Sequence, residues 1–265
     1  MANVRDQGWS VNSAFDRFLP QFVYIAVFAL WEIGCRVAQV PDFILPTPSR
    51  IIKAGIDYGF AAWGEQLLAT LQVVLGGFAM SAFISIPLAI AIVRSPKLSR
   101  IVVPALVVIQ STPIVAIAPI LIVVLGAGVL PRIVITCLIT FFPLVIAATT
   151  GLRATPTELI ELSHSLRATM QREFLDIRLP YAIPYLFAGF RVSMTLSVIG
   201  AVVGEFVAAE RGLGYTILYA TSLFKVPQSF ASLAILIMLS LLLFQVVVQI
   251  EKRFFPWSLP PQEET

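Results

Sequence analysis

Long apolar runs separated by short polar connections organise this chain. Six of them, approximately Pro20 to Ala38, Leu67 to Val93, Ile101 to Gly126, Ile133 to Thr150, Ile183 to Val203 and Phe230 to Ile250, come near or exceed the roughly 20 residues that carry a helix across a hydrocarbon core. The pattern predicts an all-α polytopic membrane protein with six transmembrane helices, residues 1–265 forming a single domain. The first run is too long for the apolar region of a signal peptide and carries Glu32 and Arg36, so it reads as a retained helix. The third contains Pro104, Pro113 and Pro119. Each removes a backbone donor that lipid cannot replace, so this span should be kinked and covered by protein or a water-lined path.

Composition agrees with the pattern. Hydrophobic residues make up 58% of the chain and charged residues 12%, where soluble domains carry about a quarter charged. The formal charge of +3 comes from basic residues scattered singly, which gives no stripe for nucleic acid. Their distribution orients the protein instead. With the N-terminus inside, 11 of the 18 Lys and Arg fall on the cytoplasmic side, 6 on the outer side, and Arg191 within a span. Both termini are thereby expected to be cytoplasmic. The outer connections, about residues 39–66 and 204–229, are long enough for a short interfacial helix each. Cys35 and Cys137 sit in different apolar runs and read as small core residues.

The connection between the fourth and fifth runs, residues 153–180, holds two helix signals where a simple connector needs none. Thr155 can act as an N-cap, with Pro156 at the first helical position and Glu158 reaching back to the cap. Leu159, Leu162 and Leu166 then form an apolar stripe, with Glu158, Glu161 and His164 on other faces. Such a helix is suited to an apolar groove on another protein, and less so to lying on the membrane, which favours Lys and Trp. Thr169 can cap a second short helix through Phe174 and Ile177, before Pro180 and Pro184. His164 has no second ligand at metal spacing and reads as an exposed helix residue.

In this loop, Glu161-Leu162-Ser163, Arg167, Ile177 and Leu179-Pro180 stand in register with Glu-Ala-Ala, Gly, an aliphatic and Leu-Pro. That is the cytoplasmic signature of the inner-membrane permeases of binding-protein-dependent ABC importers, which the chain resembles, particularly the nitrate/sulfonate/taurine type. The likeness runs from Phe43-Ile44-Leu45-Pro46-Thr47-Pro48-Ser49 through Gln110-Ser111-Thr112-Pro113, Ala118-Pro119, Phe141-Phe142-Pro143 and Gly151-Leu152-Arg153 to Gly204-Glu205 and Gly212-Leu213-Gly214. Arg167 departs from the signature at its glycine, so it must accept a positive φ or the turn must be remade.

The resemblance implies a type I importer permease architecture in the bacterial inner membrane. It also implies a homodimer, a dimer of ABC ATPase subunits on the cytoplasmic face, and an extracytoplasmic substrate-binding protein. ATP and Mg would be held by the ATPase, with no cofactor on this chain. ATPase coupling would fall to Glu158, Leu159, Glu161, Leu162, Ser163, Leu166, Arg167 and Ala168. The cargo would be a small solute: an anion such as nitrate or a sulfonate, or a vitamin, a pyrimidine precursor or an aromatic acid. Pathway candidates are Ser111, Thr112, Ser193, Ser197, Gly200 and Glu205. The serine and glycine face of the fifth run equally suits plain helix packing. Glu205 equally suits solvation at the interface, and Arg191 can snorkel or form an ion pair. A secondary transporter or channel is the rival class. It would need ion-coupling carboxylates, and Glu32, the one acidic residue well inside a span, has Arg36 at i+4.

Two expectations are directly measurable. Cysteines placed at Asn3 and Glu264 should label from the cytoplasm and those at Ser49 and Ser222 from outside. Labelling of position 264 by an impermeant reagent in intact cells would sink this threading. Lys53, Lys97, Lys225 and Lys252 follow Ile52, Pro96, Phe224 and Glu251, so none belongs to a Gly-Lys-Ser/Thr phosphate cradle. The purified chain alone should therefore show no ATPase activity, and turnover in a preparation free of other subunits would contradict this.

Overall fold

A computed structural model describes residues 13–258, with side chains from residue 22 onward; Asn3 and Glu264 lie outside the described residues. The described residues contain helices and no strand. The elements are α1 (Ser13–Val37), α2 (Pro48–Tyr58), α3 (Phe60–Arg94), α4 (Pro96–Ser111), α5 (Ile114–Leu125), α6 (Val129–Arg153) and α7 (Thr157–Ser165). There follow α8 (Met170–Arg172), a π-helical turn (Glu173–Arg178), α9 (Leu179–Ala208), α10 (Leu213–Ser222) and α11 (Val226–Phe254), closed by a 3₁₀ turn (Pro256–Ser258). Among the described residues, four helical segments are individually long and apolar enough to span a membrane: α3, α6, Met170–Ala208 and α11. The third expected span is α4 and α5 meeting at 94°, with the break at Thr112-Pro113, where the sequence places its proline kink. The first is the 25-residue α1, whose described side chains are mostly exposed. The two short outer helices expected from loop length are α2 and α10.

The core is the crossing of α3, α6 and α9. At Thr136 of α6 the neighbours are Gly77 of α3 and Gly200 of α9; a Cβ on Gly200 would lie 2.8 Å from the Thr136 Cα, and one on Gly77 would overlap the Thr136 side chain. Backbones approach this closely only where one partner has no side chain. Several hydroxyls inside the crossing are satisfied by carbonyls, while those of Ser81 in α3 and Thr149 in α6 are buried without a partner. Thr136 donates to Arg132 O at 2.9 Å, Ser193 to Thr140 O at 3.3 Å across the helix pair, and Ser85 to Phe141 O at 3.2 Å.

Three charged groups in the long helices, Glu32, Arg191 and Glu251, are engaged. Glu32 accepts from the backbone N–H of Ser49 at 3.0 Å, from its hydroxyl at 2.8 Å, and from Arg36 Nε at 2.7 Å, so it caps the first turn of α2. Arg191 pairs with buried Glu251 of α11, Nη2 to Oε2 at 3.7 Å, which selects the ion pair over snorkelling. Ser258 donates to the other Glu251 oxygen at 3.1 Å, and Phe255 packs on Phe187 with centroids 5.3 Å apart, so the end of α11 folds back onto α9.

The opposite end is closed by a knot around Glu205, which is 1% exposed. It accepts from Thr70 Oγ1 at 2.8 Å and from Gly214 N at 2.7 Å; Thr70 Oγ1 in turn accepts from Leu213 N at 2.8 Å, and Gln66 Oε1 from Gly212 N at 2.7 Å. These contacts cap the start of α10 with side chains of α3 and α9. Gly212 has φ +130°, and a Cβ there would collide with the Glu205 carboxylate. Gly212→Ala should therefore destabilise the protein by roughly 2–5 kcal/mol through backbone strain plus overpacking. This is checked by thermal unfolding of the detergent-purified protein, where an unchanged melting temperature would contradict it.

Candidate coupling and pathway sites

The 153–180 loop is a compact structure between the ends of α6 and α9. Its helix α7 begins one residue later than the capping signal suggests. Pro156 takes the N-cap position with ψ 136°, no side chain caps the helix, and the Thr155 hydroxyl is buried without a partner. The expected Thr155 to Glu158 capping box is not formed. An extended Pro156 moves Thr155 outside the first turn, beyond reach of the helix N–H groups. The second cap forms as expected, Thr169 Oγ1 accepting from Arg172 N at 3.4 Å. The short helix it opens does not stop before Pro180 and Pro184. It continues through the π-helical turn into α9, giving one 39-residue segment, Met170–Ala208. The wider π turn lies immediately before the prolines, which cannot donate to a regular α ladder.

Leu162 is 54% and Leu166 73% exposed, and Met170 continues the apolar surface at 68%. Leu159 is half-buried and Ser163 buried, its hydroxyl donating to Ile160 O at 2.8 Å, so these two fix α7 to the body while Glu158, Glu161, Leu162 and Leu166 face outward. The sequence gives no notice of what holds the far side. His164 Nε2 lies 3.1 Å from Glu173 Oε2, and Arg178 Nε donates to Glu173 Oε1 at 2.7 Å. The Arg178 hydrogen bond holds the Glu173 carboxyl below the usual carboxylate range against the opposing effect of burial. Behind this bridge is a cavity of about 240 Å³ lined by Ile90, Val93, Leu152 and Phe174, with the Arg94 guanidinium 5.6 Å from the Phe174 ring centroid. His164 is thus a staple between α7 and the base of α9. Its partner nine residues on was legible only as an unassigned glutamate.

Arg167 adopts φ +52°, the conformation its place at the signature glycine requires. Ala168 N donates to Ser163 O at 2.9 Å and Arg167 N to His164 O at 3.0 Å, the 6→1 and 5→2 bonds of a Schellman closure with Arg167 at C′. A side chain in this region costs on the order of 1–3 kcal/mol relative to glycine.

The pathway candidates divide into two groups. Ser193, Ser197 and Gly200 are buried in the α6–α9 contact, and Glu205 is inside the α10 knot. Ser111 and Thr112 are exposed at the α4–α5 break, where their hydroxyls donate to Val107 O at 2.8 Å and Val108 O at 3.1 Å and satisfy two of the last carbonyls of α4. On α9 itself the open face is Tyr181, Tyr185, Val192, Ile199 and Phe206, a stripe at helical spacing.

Comparison with known proteins bears on this arrangement. Residues 81–256 match the family described as the binding-protein-dependent transport system inner membrane component. The formylaminopyrimidine transport permease protein ThiX of Halalkalibacterium halodurans is 32% identical over 247 residues, covering 93% of this chain and 98% of the relative. The riboflavin transport system permease protein RibX of Chloroflexus aurantiacus is 34% identical over 235 residues, 88% of this chain and 87% of the relative. Among solved structures, an inward-facing MetNI methionine ABC transporter matches with a TM-score of 0.63 at 22% identity, covering 70% of this chain and 93% of that one, a likeness of fold. The chain therefore belongs to the binding-protein-dependent inner-membrane components of ABC importers, as a non-catalytic, multi-pass permease with the type I fold.

Proposed function

We propose that two copies of this chain form the translocation path of an ATP-driven importer, driven by a separate ATPase dimer that holds ATP and Mg and supplied by an extracytoplasmic binding protein. The observation that carries this reading is α7. It is a short helix seated between the ends of α6 and α9, with Leu162 and Leu166 exposed and Glu158 and Glu161 at the edge of that apolar surface. Exposed leucines away from the spans have no lipid to cover them, so an apolar groove on the ATPase is the occupant that fits. The coupling loop then lies in the cytoplasm, and both termini with it, in agreement with the basic-residue bias.

The α4–α5 break supports the second copy. A helix break in the hydrocarbon region is tolerated only against protein or a water-lined cavity, and in this chain Gln110 to Pro113 are exposed. A partner and the path between the two copies supply that cover, which makes Ser111 and Thr112 the pathway candidates with an open face. A secondary transporter or channel fits less well. Glu32 is committed to capping α2, Glu205 to the α10 knot, and Glu251 to Arg191 and Ser258, so each of these carboxylates is already engaged.

For the solute, the open α9 face is aromatic and aliphatic, and Arg191 at its flank is neutralised by Glu251. That surface suits a planar nitrogen heterocycle of the kind named for ThiX and RibX better than a small inorganic anion. A ligand screen on the cognate binding protein separates the two classes.

The coupling assignment is tested with Leu162→Glu in the complete transporter. A charge buried in an apolar groove costs several kcal/mol, so ATPase copurification and solute uptake should fall at least tenfold, while membrane insertion and binding-protein docking persist. Wild-type uptake together with wild-type copurification would remove α7 from the ATPase contact.

A further inference from the structure

The exposed surface around α7 has an electrical polarity that the apolar contact does not explain. Glu158 and Glu161 lie at its start, and Arg167 and Arg172 at its end, all four exposed, with Leu162, Leu166 and Met170 between them. Of the other acidic groups of the loop, Glu173 is held by His164 and Arg178, and Asp176 is exposed and forms no ion pair among the described residues. Arg167 and Arg172 form no ion pair and no side-chain hydrogen bond among the described residues.

Arg167 also holds a backbone conformation that glycine adopts freely. Strain of this kind is not by itself a sign of a partner. The same closure ends α1 at Gln39 (φ 51°) and α10 at Phe224 (φ 57°). Phe224, however, has an aromatic contact within the chain, its ring 6.5 Å from that of Phe43. The guanidinium of Arg167 has none, and it stands on the rim of the most exposed apolar patch of the loop. A side chain that strains its turn, is unpaired, and projects beside a docking surface is accounted for by an anionic group on whatever docks there.

We propose that Arg167, with Arg172 behind it, receives an acidic side chain of the ATPase subunit at the C-terminal end of α7. The ATPase groove would thus carry a carboxylate opposite this end of the helix, and the charge pair would set the direction in which α7 lies in the groove. An apolar groove alone does not distinguish the two directions of an amphipathic helix, whereas charges at its rim do. This inference rests on the proposed docking of α7 to the ATPase.

The test uses the full-length chain coexpressed with its ATPase and reconstituted in nanodiscs, with ATPase affinity measured at about 0.05 M and about 0.5 M salt, since exposed charges are screened over about 10 Å at 0.1 M. Arg167→Gly relaxes the turn and removes the charge; Arg167→Lys keeps both the strain and the charge. Arg167→Gly should weaken assembly roughly five- to tenfold at low salt, the deficit shrinking at high salt, while Arg167→Lys stays within about twofold of wild type. Assembly of Arg167→Gly as tight as wild type or tighter at low salt would overturn the ion pair and leave Arg167 as a tolerated substitute for glycine. An equal loss at both salt concentrations would overturn it as well. Leu162→Glu, run in parallel, separates the two levels. If it abolishes assembly while Arg167→Gly does not weaken it, the docking stands and the ion pair falls. If neither variant weakens assembly, the docking reading itself falls.

Discussion

The close contact of three backbones at Thr136 is the constraint on which the rest of the molecule depends. In a bilayer there is little hydrophobic gain from bringing apolar helices together, because lipid tails are as apolar as leucine; association has to come from packing and hydrogen bonds at short range. Gly77 and Gly200 let α3 and α9 reach α6 at one level, and Gly189 and Gly151 continue the α6–α9 approach toward the loop, against Ala147 and Tyr185. Most serine and threonine hydroxyls enclosed by this contact are satisfied by neighbouring carbonyls, those of Ser81 in α3 and Thr149 in α6 being buried without a partner. Because α6 and α9 are held together over their length, the loop joining them has ends that cannot separate. That is why residues 153–180 form a small built structure.

Charge is managed by the same rule of local satisfaction. Glu32, Glu205 and Glu251 lie in helices that run through apolar surroundings, and each is held by a helix N-terminus, a hydroxyl or an arginine. Two of the three act as caps for the short helices α2 and α10, where backbone N–H groups would otherwise be unpaired. The carboxylates that a hydropathy plot marks as anomalies are therefore what ties the outer helices to the spans.

These uses explain which parts of the fold and sites were legible in the sequence. Spans, the two short outer helices and the break at Pro113 follow from run length and from proline chemistry, which are local. Arg167 was legible for the same reason: a turn that glycine usually makes dictates φ wherever it is made. What depends on distant partners was not legible. Glu205 gave no sign of burial, since its partners Thr70 and Gly214 are supplied by α3 and by the first turn of α10. Thr155 had the right neighbours for a capping box, and tertiary placement of Pro156 overrode them. Ser193, Ser197 and Gly200 were consistent with packing and with a path, and the structure buries them against α6.

The continuity of the segment Met170–Ala208 then connects the two ends of the molecule. At 1.5 Å per residue its 39 residues reach about 58 Å, longer than a hydrocarbon core, so it projects from the spans at the coupling loop. Near one end Glu173 is clamped to His164 of α7, and near the other Glu205 is clamped to Thr70 and to the start of α10. α7 is thus joined through one continuous helical segment to a far end that is bonded to α10. The irregular section of this segment is the π turn, which contains the Glu173 clamp, together with Pro180 and Pro184. The wider turn and the two missing donors leave this section with a less regular backbone ladder than the rest of the segment. The base of α9 is itself packed closely on α6, Gly151 lying against Ala182 and Tyr185. The same helix that is packed on α6 at Gly151, Gly189 and Gly200 thus presents the open Tyr181 to Phe206 face on its other side, so that face and the 153–180 loop belong to one continuous element.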